Sequence, residues 1–184
     1  SAATGYVSTS DGWIYKTENA GLTWTGVNTP YSGYILKMDF FDDNTGFASC
    51  GTGNVLYTTD GGDSWDMTAI GGLDQNIYEV VAVSATEVFI AGLEGYLMRS
   101  ADGAQTFTSL QQGTTSKFLA SHFIDENTGY ASGVDGLVWK TTDGGESWTD
   151  VSISTTNDLY AVYFLDADKG FVGGTSAVLY RTSD

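Results

Sequence analysis

The nine residues KTTDGGESW, Lys140 to Trp148, bring together two carboxylates, three hydroxyls, two glycines and a tryptophan. One acid could act as general acid or base in a catalytic loop, or several oxygens could converge on a cation. Reaction centres are seldom duplicated within one chain, whereas the structural devices of repeat proteins are. The stretch recurs as KTENAGLTW (16–24), YTTDGGDSW (57–65), RSADGAQTF (99–107) and a shortened RTSD (181–184). Its central residue falls at Asn19, Asp60, Asp102, Asp143 and Asp184, spaced by 41, 42, 41 and 41 residues.

Repetition points to a turn. An Asp or Asn opening a turn accepts backbone N–H groups one to three residues ahead, glycine supplies a left-handed position, and a hydroxyl ties off the returning strand. On this reading Gly21, Thr23 and Trp24, Gly62, Ser64 and Trp65, Thr106 and Phe107, and Gly145, Ser147 and Trp148 are fold elements around their Asx residue. No residue is assigned a catalytic, cofactor or metal role. Asn19 can cap a turn but cannot serve as an acid.

Two further patterns could carry chemistry. The turns DDNTG, DENTG and DADKG place oxygens at alternate positions like the start of a calcium loop, but lack the downstream bidentate Glu and read as hairpin turns. Three residues before each Asx residue stand Lys16, Tyr57, Arg99, Lys140 and Arg181, so four of the seven basic residues share one phase of the repeat. Each cation is expected to pair with a carboxylate of its own or the adjacent blade; the alternative is a ring of cations contacting a ligand. Trp13, Tyr31, Tyr34 and Tyr96 sit in or near loops where aromatic rings can stack on sugars.

The elements that must position these residues follow from a second marker. DDNTGFASC, DENTGYASG and DADKGFVGG set Gly46, Gly129 and Gly170 in register, dividing each repeat into four apolar runs bounded by turn residues. Four short antiparallel strands every 41 residues or so predict an all-β propeller. We label the strands of a blade A to D. Five blades are expected within a single domain over 1–184, in repeats of about 5–45, 46–87, 88–128, 129–169 and a partial 170–184; the first blade lacks strand A and the last strand D. They either close as a five-bladed ring, the arrangement preferred here, or form part of a longer or inter-chain ring. Ile14, Val55, Leu97, Val138 and Leu179, with Tyr15, Leu56, Met98, Trp139 and Tyr180, are the predicted core.

The box pattern Ser/Thr-x-Asp-x-Gly-x-Thr/Ser-Trp resembles the Asp-box, or bacterial neuraminidase repeat, and the phrase DxNTGFAxG…LYTTDGGxSW is similar to the repeats of Ycf48-like propellers. Boxes 58–65 and 141–148 match fully, whereas 17–24 has Asn19 for Asp, and 100–107 has Ala104 for Gly and Phe107 for Trp. The resemblance implies that the box is a fold element. It also brings glycosidases into view, yet a sialidase arginine triad cannot be built from Arg99 and Arg181 alone, and the acids of a two-carboxylate glycosidase would have to come from repeated turns. The chain also lacks the arginine-rich patch and seven blades associated with Ycf48.

A formal charge of −16 repels phosphate backbones and anionic surfaces, so nucleic acid is excluded as a partner. Membrane insertion is not expected, because no apolar run approaches the ~18 residues of a spanning helix, and SAATGYV lacks the charge and apolar core of a signal peptide. Cys50 alone gives no disulfide framework. The resulting expectation is a non-enzymatic propeller without cofactor, binding a protein in a secreted, cell-surface or phage-virion assembly, with a carbohydrate-binding propeller as the alternative.

Overall fold

The computed structural model describes residues 3–110 and 115–182; the predicted turn-former Asp184 lies outside the described residues. Short runs rich in β-branched and aromatic residues, cut by Gly and Asx turns, form five antiparallel meanders. The first contains β1 (Gly5–Ser8), β2 (Trp13–Thr17) and β3 (Thr25–Asn28). The second contains β4 (Ile35–Phe40), β5 (Gly46–Cys50), β6 (Asn54–Thr58) and β7 (Asp66–Ala69). The third contains β8 (Ile77–Ala82), β9 (Val88–Gly92), β10 (Leu97–Ser100) and β11 (Thr108–Ser109). The fourth contains β12 (Phe118–Phe123), β13 (Gly129–Gly133), β14 (Val138–Thr141) and β15 (Thr149–Asp150), and the fifth β16 (Leu159–Phe164), β17 (Gly170–Gly174) and β18 (Leu179–Thr182). The fold is thus all-β, in propeller blades; among the described residues the first and last sheets have three strands and the other three have four.

The blades pack in series through their inner strands, β1 on β4, β4 on β8, β8 on β12 and β12 on β16. Each A strand carries an irregularity of register, between Ile35 and Lys37, Ile77 and Glu79, Phe118 and Ala120, and Leu159 and Ala161. Such a bulge bends the strand and re-aims the side chains that follow it.

The core lies between blades. Val55, Leu56, Leu97, Met98, Val138 and Trp139 are buried, as the repeat predicts. The end blades differ, because among the described residues each is covered by a neighbour on one face only: Leu179 is 70% exposed and Tyr15 39%. Closure of the fifth blade onto the first is not seen among the described residues. Val7, Trp13 and Trp24 at one end, and Tyr160, Tyr163 and Leu165 at the other, remain exposed.

Candidate functional site

The Asp-box turns were the first candidates, and their geometry accounts for their residues. The box hydroxyls of Thr58, Ser100 and Thr141 donate to Asp60, Asp102 and Asp143 at 2.7–2.8 Å, and accept the N–H groups of Gly62, Ala104 and Gly145 at 2.8–2.9 Å. Each Asp then takes the backbone N–H of Ser64, Thr106 or Ser147 at 2.9–3.0 Å, and the same residue's hydroxyl binds the second carboxylate oxygen. That N–H lies four residues ahead, farther than the expected one to three. Two consecutive left-handed residues curl the chain, with φ of 71° and 80° at Gly61 and Gly62, and 69° and 81° at Gly144 and Gly145. In the third box the second of these is Ala104, at φ 68° and fully buried.

In the first box Asn19 Oδ1 accepts from Thr17 and from the Thr23 N–H, while its amide nitrogen donates to the Thr23 hydroxyl at 2.8 Å. The amide reverses one bond and keeps the turn. Each complete box is also tied to the A–B turn of its own blade, through Gly61 N–H to Asn44 O, Gly103 N–H to Thr86 O and Gly144 N–H to Asn127 O.

Hydroxyl and backbone donors hold Asp60, Asp102 and Asp143 down at about 2. A carboxylate whose folded pKa lies below its ordinary 3.8 contributes stability that is present above that value and is lost as pH falls toward 2. Urea midpoints are therefore expected to drop between about pH 4 and 2. Asp143→Asn, which copies Asn19, should flatten part of that slope; an unchanged slope would contradict the assignment.

The calcium-like turns are likewise satisfied internally: Asp42 and Asp125 each accept two backbone N–H groups at 2.6–2.8 Å, and Asp166 does so at 2.8–3.0 Å. Of the cations sharing one phase, Lys16 meets Glu18 and Asp63 at 3.2 and 2.6 Å, and Arg99 meets Glu87 and Glu146 at 2.7 and 3.7 Å. Lys140 stands 5.3 Å over the Tyr130 ring, and Arg181 lines a cavity beside β18. Among the loop aromatics, Trp13 and Tyr34 are exposed. Tyr31 is tied to Gly51 O at 3.0 Å, and Tyr96 packs against the core.

The sequence reading missed a polar seam along the inner strands. Asp39 accepts the N–H of Ala82 in the next blade at 2.8 Å, and His122 Nδ1 accepts that of Phe164 at 3.3 Å. Glu79, 5% exposed, pairs with Lys37 of the preceding blade and accepts both the N–H and the hydroxyl of Ser121 at 3.2 Å. Side-chain acceptors thus cap A-strand N–H groups 42 or 43 residues away.

Burial raises the Glu79 and Asp39 carboxyls, opposed by Lys37 and Ser121 at Glu79 and mainly by the Ala82 N–H at Asp39. Burial, with the nearby Lys37 charge, lowers His122. His122 is therefore neutral at pH 7, with Nδ1 accepting and the ring proton on Nε2. The legible signal was a charge inside an apolar run: Lys37 in YILKMDFF and Glu79 in IYEVVA, 42 residues apart.

Beside the seam lies a cleft of about 360 Å3 lined by Lys37, Asp39, Val81 to Val83 and Ser121 to Glu126. It offers an ammonium and an imidazole as donors, and the carboxylates of Asp39, Asp125 and Glu126 as acceptors. Among the described residues no cluster of three or more His, Cys, Asp or Glu side chains could hold a metal ion, and no helix is long and apolar enough to cross a membrane.

Serial antiparallel blades, the first four locked by Asx turns at one period, define an Asp-box β-propeller. The chain belongs to the family described as photosynthesis system II assembly factor YCF48, whose model matches residues 22–115. Comparison with curated proteins returns no match. Among solved structures, YCF48 from Cyanidioschyzon merolae is 21% identical with a TM-score of 0.75, over 98% of this chain and 66% of that one. A structure described as YCF48 bound to D1 peptide is 15% identical with a TM-score of 0.55, over 100% and 91%.

A GH74 enzyme from Niastella koreensis is 17% identical with a TM-score of 0.79, over 98% of this chain and 34% of that one. At such identities these likenesses show the fold alone. The family match overturns the expectation of a phage-virion protein, since the family is described by photosystem II assembly, and no comparison gives the expected secreted or cell-surface setting. That expectation came from analogy among repeat propellers, and no residue carried it.

Proposed function

We propose that the chain is a non-enzymatic, protein-binding propeller of an assembly factor, and that the cleft along the polar seam receives a peptide segment of its partner. The observation that carries this reading is the mixed set of donors and acceptors held on three adjacent inner strands. An extended peptide presents N–H, C=O and charged groups together, whereas a phosphate would need donors only. Glu79 is buried and committed to Lys37 and Ser121, which suits it to fixing the strands rather than to proton transfer on a substrate. The family description and the relative bound to D1 peptide support a protein partner.

The D1 peptide is the first probe, read by fluorescence anisotropy. Glu126→Lys at the rim and His122→Asn, which keeps an acceptor, should each weaken binding about tenfold or more with little change in melting temperature. A carbohydrate-binding reading is favoured by the exposed rings of Trp13 and Tyr34. It would replace the first if Trp13→Ala abolished glycan binding and the cleft variants left peptide binding unchanged.

A further inference from the structure

The A–B turns of the second to fifth blades share a feature that the turn itself does not need. The N–H groups of Phe41, Val83, Ile124 and Leu165 close them on the carbonyls of Thr45, Glu87, Thr128 and Lys169 at 2.8–3.0 Å, a backbone bond open to any residue except proline. The position is nevertheless apolar in all four, and Phe41 is 47% exposed. Asp42, Asp125 and Asp166 cap their turns, whereas the next position holds Asp43, Ala85, Glu126 and Ala167. The turn forms equally with alanine there, so it does not require the charge of Glu126.

Two of these turns border the cleft of the proposed function. Val81, Val83 and Ile124 supply apolar walls, and the exposed Asp125 and Glu126 an acidic rim. The charge of the cleft does not balance. Lys37 is paired with Glu79, His122 is neutral at pH 7, and the N–H groups of Thr128 and Asn127 keep Asp125 ionised. The rim carboxylates therefore leave the cleft negative. A long cationic side chain matches both features, because its aliphatic stem covers apolar surface while its head stays at a polar edge. All of these residues belong to the second, third and fourth blades, each packed between two neighbours, so the site does not depend on the end blades.

We infer that the partner segment received by this cleft is basic: an arginine or lysine lays its aliphatic stem along Val83 and Ile124 and brings its head to Asp125 and Glu126. The inference rests on the peptide-binding reading of the same cleft and adds the chemistry of the occupant. That occupant is a segment of a different protein, since a second copy of this chain, at a formal charge of −16, would be repelled. Charge complementarity of this kind speeds encounter and rejects acidic partners.

The probes are three synthetic peptides on one apolar frame, GKVRVKG, GQVQVQG and GEVEVEG, titrated into the 184-residue protein while its amide resonances are followed by NMR. The basic peptide is expected to bind saturably and to shift the amides of Val83, Ile124 and Glu126, with the neutral and acidic peptides at least about tenfold weaker. Glu126→Lys should weaken the basic peptide at least about tenfold and strengthen the acidic one. Asp74→Lys makes the same change in net charge at an exposed site before β8, at the end opposite its A–B turn, and should alter affinity less than about twofold. Equal losses from the two variants would mean general attraction to an acidic surface and would overturn the inference. If the neutral or acidic peptide shifts the cleft amides as strongly as the basic one, peptide binding stands and the basic occupant fails. If none of the three shifts them, the inference and the peptide-binding reading fail together.

Discussion

Trp148→Ala is expected to lower stability by about 3–5 kcal/mol, the range for truncating a large buried aromatic, while Trp24→Ala costs less than about 1 kcal/mol. Both residues close the same motif, so sequence alone predicts equal effects. Trp148 is 8% exposed, donates its indole N–H to Gly145 O at 3.2 Å, and packs with Phe123, Leu137 and Trp139 between the third and fourth blades. Trp24 is 43% exposed, because no preceding blade covers it among the described residues. Chemical denaturation of the two variants measures the difference directly. Equal losses would mean that the box tryptophan stabilises its own turn rather than the contact between blades.

Glu79→Ala is expected to cost about 3 kcal/mol, the lower end for breaking a buried ion pair by removing one partner. The lower end applies because the Lys37 side chain is 37% exposed and can turn to water once its partner is gone. The Ser121 N–H has no such freedom, and its lost acceptor supplies part of the cost. For a chain of this size the melting temperature should fall by about 6–12 °C. Glu79→Gln, which keeps an acceptor for Ser121, should recover part of the loss. A drop below about 1 kcal/mol for Glu79→Ala would show that the seam does not bind the second, third and fourth blades together.

The turns were legible because their chemistry is local. Asp143, Thr141 and Ser147 close a ring within seven residues, so residue type and spacing suffice to announce it. The reach of the N–H to the fourth residue was less legible. It depends on two successive left-handed positions, and Ala104 adopts the second of these with no sequence sign that it would. The seam was legible only in part: Lys37 and Glu79 stand out within apolar strands, but nothing local says that they meet, since they belong to different blades.

The sequence by itself determined the period, the strands of each repeat and the Asx turns, because all of these rest on contacts a few residues apart. Only the tertiary structure decided which repeated positions are equivalent in fact. Leu97 and Leu179 share a phase, yet one is buried and the other 70% exposed; Lys16 and Lys140 share a phase, yet one meets two carboxylates and the other a tyrosine ring. The reason is that a blade buries its faces on its neighbours. A residue's environment is then set by side chains some 42 positions away, and a repeat fixes those only where a neighbour is present to supply them.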